Sequence, residues 1–237
     1  MSYPRFLELP KVKWLDAKQT IYTGKQITCA FSGEDIVVYQ AYNEQIANYA
    51  VQNQTFKGCP QYRMSRMTWI KSNFLWMHSA NWATRDPNQA RILALFVNKN
   101  DFEHEILKHG VLTSNPFSSE YFDPNWTYYS SEEEWRQEIA RTKDSSDRIR
   151  VQWDPYHQPS GEKMNFTRAI QIGLKGKYLE SLLNCVSKFE DITSYVKDQN
   201  ALRLAGEDVS IPVETVYTIQ DEQIARKLSA QTEQKEM

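Results

Sequence analysis

The chain has 237 residues, with 28 Lys and Arg against 30 Asp and Glu, and a formal charge of −2. That length suits one globular domain with an extension, and it is enough to bury a core without covalent staples. A pI near 6.1 excludes a coat protein that grips nucleic acid by overall basicity, and three scattered cysteines (Cys29, Cys59, Cys185) exclude a disulfide framework.

Residues 1–25 read as a polar, Lys-bearing lead-in, and Met1 to Trp14 lacks the apolar core of a signal peptide. Ile36 to Gln40 is rich in β-formers and predicts a strand. It runs into a helix capped by Asn43, where Ile46, Ala47, Ala50 and Val51 recur at helical spacing. Lys57 to Lys99 then carries seven basic residues (Lys57, Arg63, Arg66, Lys71, Arg85, Arg91, Lys99) against one acid, Asp86. Tyr62, Trp69, Phe74, Trp76 and Trp82 are interleaved with them. Within this stretch, Arg91 to Val97 predicts a buried strand.

Asn100 with Glu103 reads as a capping box opening a short helix that Gly110 stops. Asn115 to Ser130 reads as a loop, and Ser131 with Glu134 as a second capping box whose helix runs to about Lys143. Two strands follow. In Arg148–Asp154 the apolar Ile149, Val151 and Trp153 alternate with Arg148, Arg150, Gln152 and Asp154; in Thr167–Leu174, Ile170, Ile172 and Leu174 alternate with Ala169, Gln171 and Gly173. If these strands pair, their polar faces meet. A helix is expected from Gly176 to Phe189 with Leu179, Leu182, Leu183 and Val186 as its buried stripe. Residues 197–237 read as an extension, broken at Gly206-Glu207-Asp208 and frayed over its last dozen residues. Strands mixed with helices, without regular βαβ alternation, predict an α+β fold: a mixed, largely antiparallel sheet with flanking helices over 26–196, plus the C-terminal extension.

Cations interleaved with flat rings are what a protein needs to hold a phosphate and stack a base. Arg63, Arg66 and Lys71 are therefore the expected phosphate contacts, with Tyr39, Tyr62 or a tryptophan as the stacking ring. Arg150, Gln152 and Gln171 orient a polar group, together with Arg148 and Arg168 on the same surface. Gln40, an amide inside an apolar strand, either ties strands together or faces the ligand. Asp154 and Gln40 are weak catalytic candidates, since amides and guanidiniums are not bases at neutral pH. His78, His104, His109 and His157 lack metal-ligand spacing, so no metal is expected. Cys59 has no base partner nearby in sequence, and no GxGxxG or Walker lysine motif occurs. The sequons at Asn53, Asn125 and Asn165 carry little weight without a secretion signal. A cytoplasmic protein is expected, with no membrane association.

Several runs resemble one family, a domain of unknown function designated DUF 4291. They are Val37-Val38-Tyr39-Gln40-Ala41-Tyr42, Arg66-Met67-Thr68-Trp69-Ile70-Lys71, Phe74-Leu75-Trp76-Met77, Arg150-Val151-Gln152-Trp153-Asp154-Pro155, Gln171-Ile172-Gly173-Leu174 and Asp191-Ile192-Thr193. Ser72-Asn73, Ala90 and Tyr156-His157 depart from that family's usual residues. The resemblance implies that these runs matter and supplies no reaction. The leading expectation is an enzyme acting on a nucleotide-containing substrate through an Arg/Lys/Trp anion pocket. ADP-ribosyl transfer from NAD is one version, by analogy only. The alternatives are a module that binds nucleic acid without catalysis and a protein-interaction domain.

Overall fold

A computed structural model describes residues 5–118 and 128–231. Its frame is built from the β-rich runs: β1 (Asp35–Tyr42), β2 (Thr68–Lys71), β3 (Arg91–Asn98), β4 (Gly110–Leu112), β5 (Arg148–His157), β6 (Lys163–Lys175) and β7 (Val186–Asp191). They lie side by side in the order β7-β3-β1-β2-β6-β5-β4. Phe31–Ser32 adds to β1, and Gly24–Lys25 adds to β6. That last pairing and β4 beside β5 are parallel, while the other pairs are antiparallel. With helices against both faces, this is the expected α+β fold, its sheet mixed and mostly antiparallel.

Both faces of the β3-β1 centre are covered, and strand alternation decides which core each residue joins. Ile36, Val38, Leu93 and Leu95 enter one core with Ile70, Ile172 and Phe189. Val37, Tyr39, Ala94 and Phe96 enter a second core with Phe6, Phe74 and Trp82. Each fully buried large apolar side chain stabilises by about 1.5–3 kcal/mol relative to exposure. The flanking helices are α1 (Glu44–Asn53), α2 (Glu132–Thr142), α3 (Lys177–Cys185), α4 (Thr193–Leu204) and α5 (Glu222–Lys227). Asn43 caps α1, its Oδ1 accepting from Ile46 N at 2.9 Å, and the Ser131 hydroxyl caps α2 by accepting from Glu134 N.

Three expectations are corrected. The helical run from Lys99 to His109 is capped by Asn98, whose Oδ1 accepts from Asn100 N and Asp101 N. Glu103 is buried and accepts instead from Gln220 N, Asp221 N and the Tyr217 hydroxyl, so it anchors a segment more than a hundred residues away. The helix expected to reach Phe189 stops at Cys185, and Val186 begins β7, which pairs with β3 from Val186↔Val97 to Asp191↔Leu93. The open edge of β3 outcompetes another helical turn there, because pairing satisfies a whole row of backbone groups. The third correction concerns the chain's last dozen residues: α5 continues to Lys227, and Leu228 and Ala230 are buried. Residues from 232 on, the central part of the Asn115–Ser130 loop and the sequon at Asn125 lie outside the described residues.

The segments before residue 26 and after residue 196 are built into the body. Lys11–Lys13 pairs antiparallel with Ser210–Pro212, and Glu190 accepts from Arg5 N and Phe6 N, both at 2.8 Å. Phe6, Trp14 and Ile211 are buried in the second core, and Ile224 and Leu228 in the first. Among the described residues no helix is long and apolar enough to cross a membrane.

Candidate functional site

One row of the sheet organises the site. Tyr39 pairs with Lys71, Lys71 with Gln171, and Gln171 with Gln152, so these four side chains point to the same face. At the Tyr39 end that face is covered by the second core. At the other end Gln171 and Gln152 are half-buried, and Gln171 Nε2 donates to Gln152 Oε1. The expected meeting of the two polar strand faces is therefore present, extended onto a third strand by Lys71.

Above this row β1 and β2 separate, because Tyr39 and Lys71 are their one paired position. Gln40 fills the fork: its Nε2 donates to Thr68 Oγ1 at 2.9 Å and to Trp69 O at 3.2 Å. The Tyr42 hydroxyl shares a 2.5 Å hydrogen bond with the same Thr68 Oγ1. Gln40 is 1% exposed, yet its Oε1 has no partner among the described residues. An unsatisfied buried amide oxygen costs about 1–3 kcal/mol, so it is an acceptor held ready for a donor. Gln40 thus ties strands together with its nitrogen, while its oxygen stays buried and unpaired.

A cavity of about 450 Å³ opens at this fork, lined by Gln40, Trp69, Lys71, Trp76, Asp154 and Gln171 among others. It shares Lys71, Asp154, Trp76 and Ser79 with a smaller cavity of about 170 Å³ that ends at His78, His157 and Lys163. On its other side it shares Tyr42, Met67 and Thr68 with a third, of about 660 Å³, that carries Arg63 and Arg66. The three make one groove. Among the described residues Asp154 is the only carboxylate lining the first two, and Lys71 Nζ lies 3.3 Å from its Oδ2. Burial pushes the Lys71 amine down to about 8, against the opposing pull of Asp154. Neither the Arg63 nor the Arg66 guanidinium has a partner among the described residues, and both residues are exposed.

The far end of the groove carries two histidines beside Lys163. The His78 and His157 rings stack with centroids 3.9 Å apart. Burial, then His157 and Arg203, push His78 down to about 4, and burial and Lys163 lower His157. Trp69 and Trp76 are half-buried and line the groove, whereas Phe74 and Met77 are wholly core. Trp69 packs close to Gly173, where a Cβ would come within 2.9 Å of its ring.

The expected site residues divide accordingly. Gln40, Arg63, Arg66, Lys71, Asp154 and Gln171 line the groove, and Gln152 accepts from Gln171 behind it. Tyr39 does not serve as a stacking ring. It is fully buried, edge-on to Phe6 and Phe74, and has no free face. Arg150 lies opposite Gly173, beyond the residues lining these three cavities. Arg168 is on the wrong parity to join Gln171 and lines a different cavity. Cys29, Cys59 and Cys185 are free and buried. Thr68, Ser79 and the histidine pair were invisible as site residues in the sequence, because His78 and His157 meet only through the pairing of distant segments.

A family model described as a domain of unknown function, DUF4291, matches residues 26–217, which takes in the whole groove. No curated protein matches the chain.

Proposed function

As the chain belongs to the DUF4291 family, a membership that brings no reaction with it, we propose from the groove itself that the protein is an enzyme acting on a nucleotide-containing substrate. The observation that carries this reading is the lining of the groove, which joins two unneutralised arginines, the Lys71–Asp154 pair and Gln40, whose buried Oε1 is unpaired. Arg63 and Arg66 take phosphate oxygens, for which guanidinium geometry is suited. Trp69 and Trp76 give the base or ribose an apolar wall. Gln40 accepts a hydrogen bond from an N–H of the base or of a carboxamide. Asp154 takes the proton from the attacking group, and Lys71 holds Asp154 in place and offsets negative charge beside it. Group transfer from a dinucleotide such as NAD is the concrete version, its support still analogy. A reducing, cytoplasmic setting goes with this reading, supported by three buried free thiols.

A thermal-shift screen of nucleotides, NAD and short RNA and DNA oligomers, each at two salt concentrations, tests it. A mononucleotide or dinucleotide at a hundred times its Kd is expected to add about 2.7 kcal/mol of stability. The Arg66→Ala/Lys71→Ala double variant is expected to abolish that shift while keeping the fold. If only oligomers bind, with affinity falling steeply as salt rises, the non-catalytic nucleic-acid module replaces the enzyme reading. If nothing binds, the groove is not an anion site.

A further inference from the structure

A second cavity lies apart from the groove, walled by two segments distant in sequence: residues 12–22 on one side and 211–214 on the other. It measures about 300 Å³, at the lower end of the range typical of small-molecule sites. Val12, Ala17, Ile21, Ile211 and Val213 supply an apolar lining. Into it reaches Glu214. Its Oε1 accepts from Phe74 N at 2.5 Å and its carboxyl is hydrogen-bonded to Tyr156. Among the described residues no basic side chain is a partner of this carboxyl, and burial pushes it up to about 8. Tyr39 and Cys29 lie near enough to be pushed further up by its charge. Asp16 and Arg168 are the other charged residues in the lining.

We propose that this cavity binds a small organic cation, an apolar body of about one ring bearing a single protonated nitrogen, with Glu214 as its counter-ion. A carboxylate lined largely by apolar side chains, with no cation bound to it among the described residues, is held in its neutral form, because ionising it there lacks compensation. A ligand ammonium supplies the missing charge, and the remaining lone pairs of Glu214 make a charge-assisted hydrogen bond with it. The walls bury its apolar part. An anion or a neutral ring lacks that term and meets a site with two carboxyls and one guanidinium. Tyr156 and His157 are adjacent on β5, yet Tyr156 lines this cavity while His157 lines the groove, and the two sites share no lining residue. The inference does not rest on the proposed enzyme activity.

Isothermal titration and amide NMR with benzylamine and its neutral isostere benzyl alcohol test it on the full chain. Benzylamine is expected to bind about tenfold or more tighter than benzyl alcohol, and to shift the Phe74 amide resonance. Glu214→Gln keeps an acceptor for Phe74 N and is expected to erase the difference between the probes. Lys71→Met, in the groove, is expected to preserve it. Ala17→Phe, which fills part of the cavity and leaves the Glu214 carboxyl in place, is expected to weaken both probes. Equal binding of the two probes to the unaltered chain, no binding of either, or an unchanged preference in Glu214→Gln overturns the proposal.

Discussion

Lys71 Nζ stands 3.3 Å from Asp154 Oδ2, the lysine side chain 8% exposed and the aspartate 43%. The pair is lopsided: one partner carries the desolvation and the other remains wet. That asymmetry leaves the lysine poorly compensated, and its amine sits low, at about 8, for that reason.

The pH dependence of Lys71 follows from the sign of its shift. Below pH 8 the ammonium is charged in both folded and unfolded chains, and the folded state bears the full penalty of burying it. Between pH 8 and 10.5 the unfolded chain stays protonated while the folded amine is neutral, so this contribution to stability improves as pH rises. Lys71→Met is expected to raise stability at pH 7 by about 1–3 kcal/mol and to flatten the pH curve above 8. Calorimetric Tm from pH 7 to 10 checks both, and a lower Tm at pH 7 would show that the ion pair outweighs its desolvation.

Glu214 runs the other way. Its carboxyl is pushed from an ordinary 4.5 to about 8. Below pH 4.5 it is protonated in both states and contributes nothing. From 4.5 to 8 the unfolded chain ionises while the folded one does not, so its contribution worsens as pH rises and then levels off. Relative to the parent chain, Glu214→Gln is expected to gain stability progressively between pH 5 and 8. A gain of 1 kcal/mol corresponds to a Tm rise of about 2–4 °C in a chain of this size. A constant Tm difference across that range would remove Glu214 as the titrating group.

Gly173 is required by what lies over it. An added Cβ would stand 2.8 Å from Met67 Sδ and 2.9 Å from the Trp69 ring. Gly173→Ala is expected to destabilise by about 1–3 kcal/mol, the usual penalty for overpacking, and to weaken any groove ligand by displacing Trp69. Urea unfolding and the thermal-shift assay measure the two effects separately.

Asn43 links the helix to the groove. Its Oδ1 caps α1 through Ile46 N, and its Nδ2 reaches Gln61 in the lining of the Arg63–Arg66 cavity. Asn43→Ala is expected to cost about 1 kcal/mol and Asn43→Asp much less. Equal loss in both variants would assign the effect to the Gln61 contact.

What was legible in the sequence was whatever depends on local pattern. The alternation in Arg148–Asp154 and Thr167–Leu174 gave the two strands and their polar faces, and Asn43 with its apolar spacing gave α1. What escaped depends on which face is covered. Tyr39 and Lys71 share one row, yet a core assembled from Phe6, Phe74 and Trp82 seals the first and leaves the second at a cavity. Parity states that they face the same way and nothing about what lies on top. Glu103 was misread for the same reason, since its partners arrive from residues 217–221. Glu214 carried no signal at all, because its environment is Phe74 N, 140 residues earlier in the chain.

The fork at Gln40 divides the sheet mechanically. Strands β7, β3 and β1 form one panel and β2, β6, β5 and β4 the other, joined along the sheet through one paired position, the Gln40 amide and the Tyr42–Thr68 hydrogen bond. Such a seam yields to twisting at far less free energy than a continuous ladder. A molecule that binds in the groove and engages Gln40 is a clasp across that seam. Clasping registers as slowed hydrogen exchange at the backbone amides of Gln40 to Tyr42 and Thr68 to Ile70, with little change at the β3-β7 border.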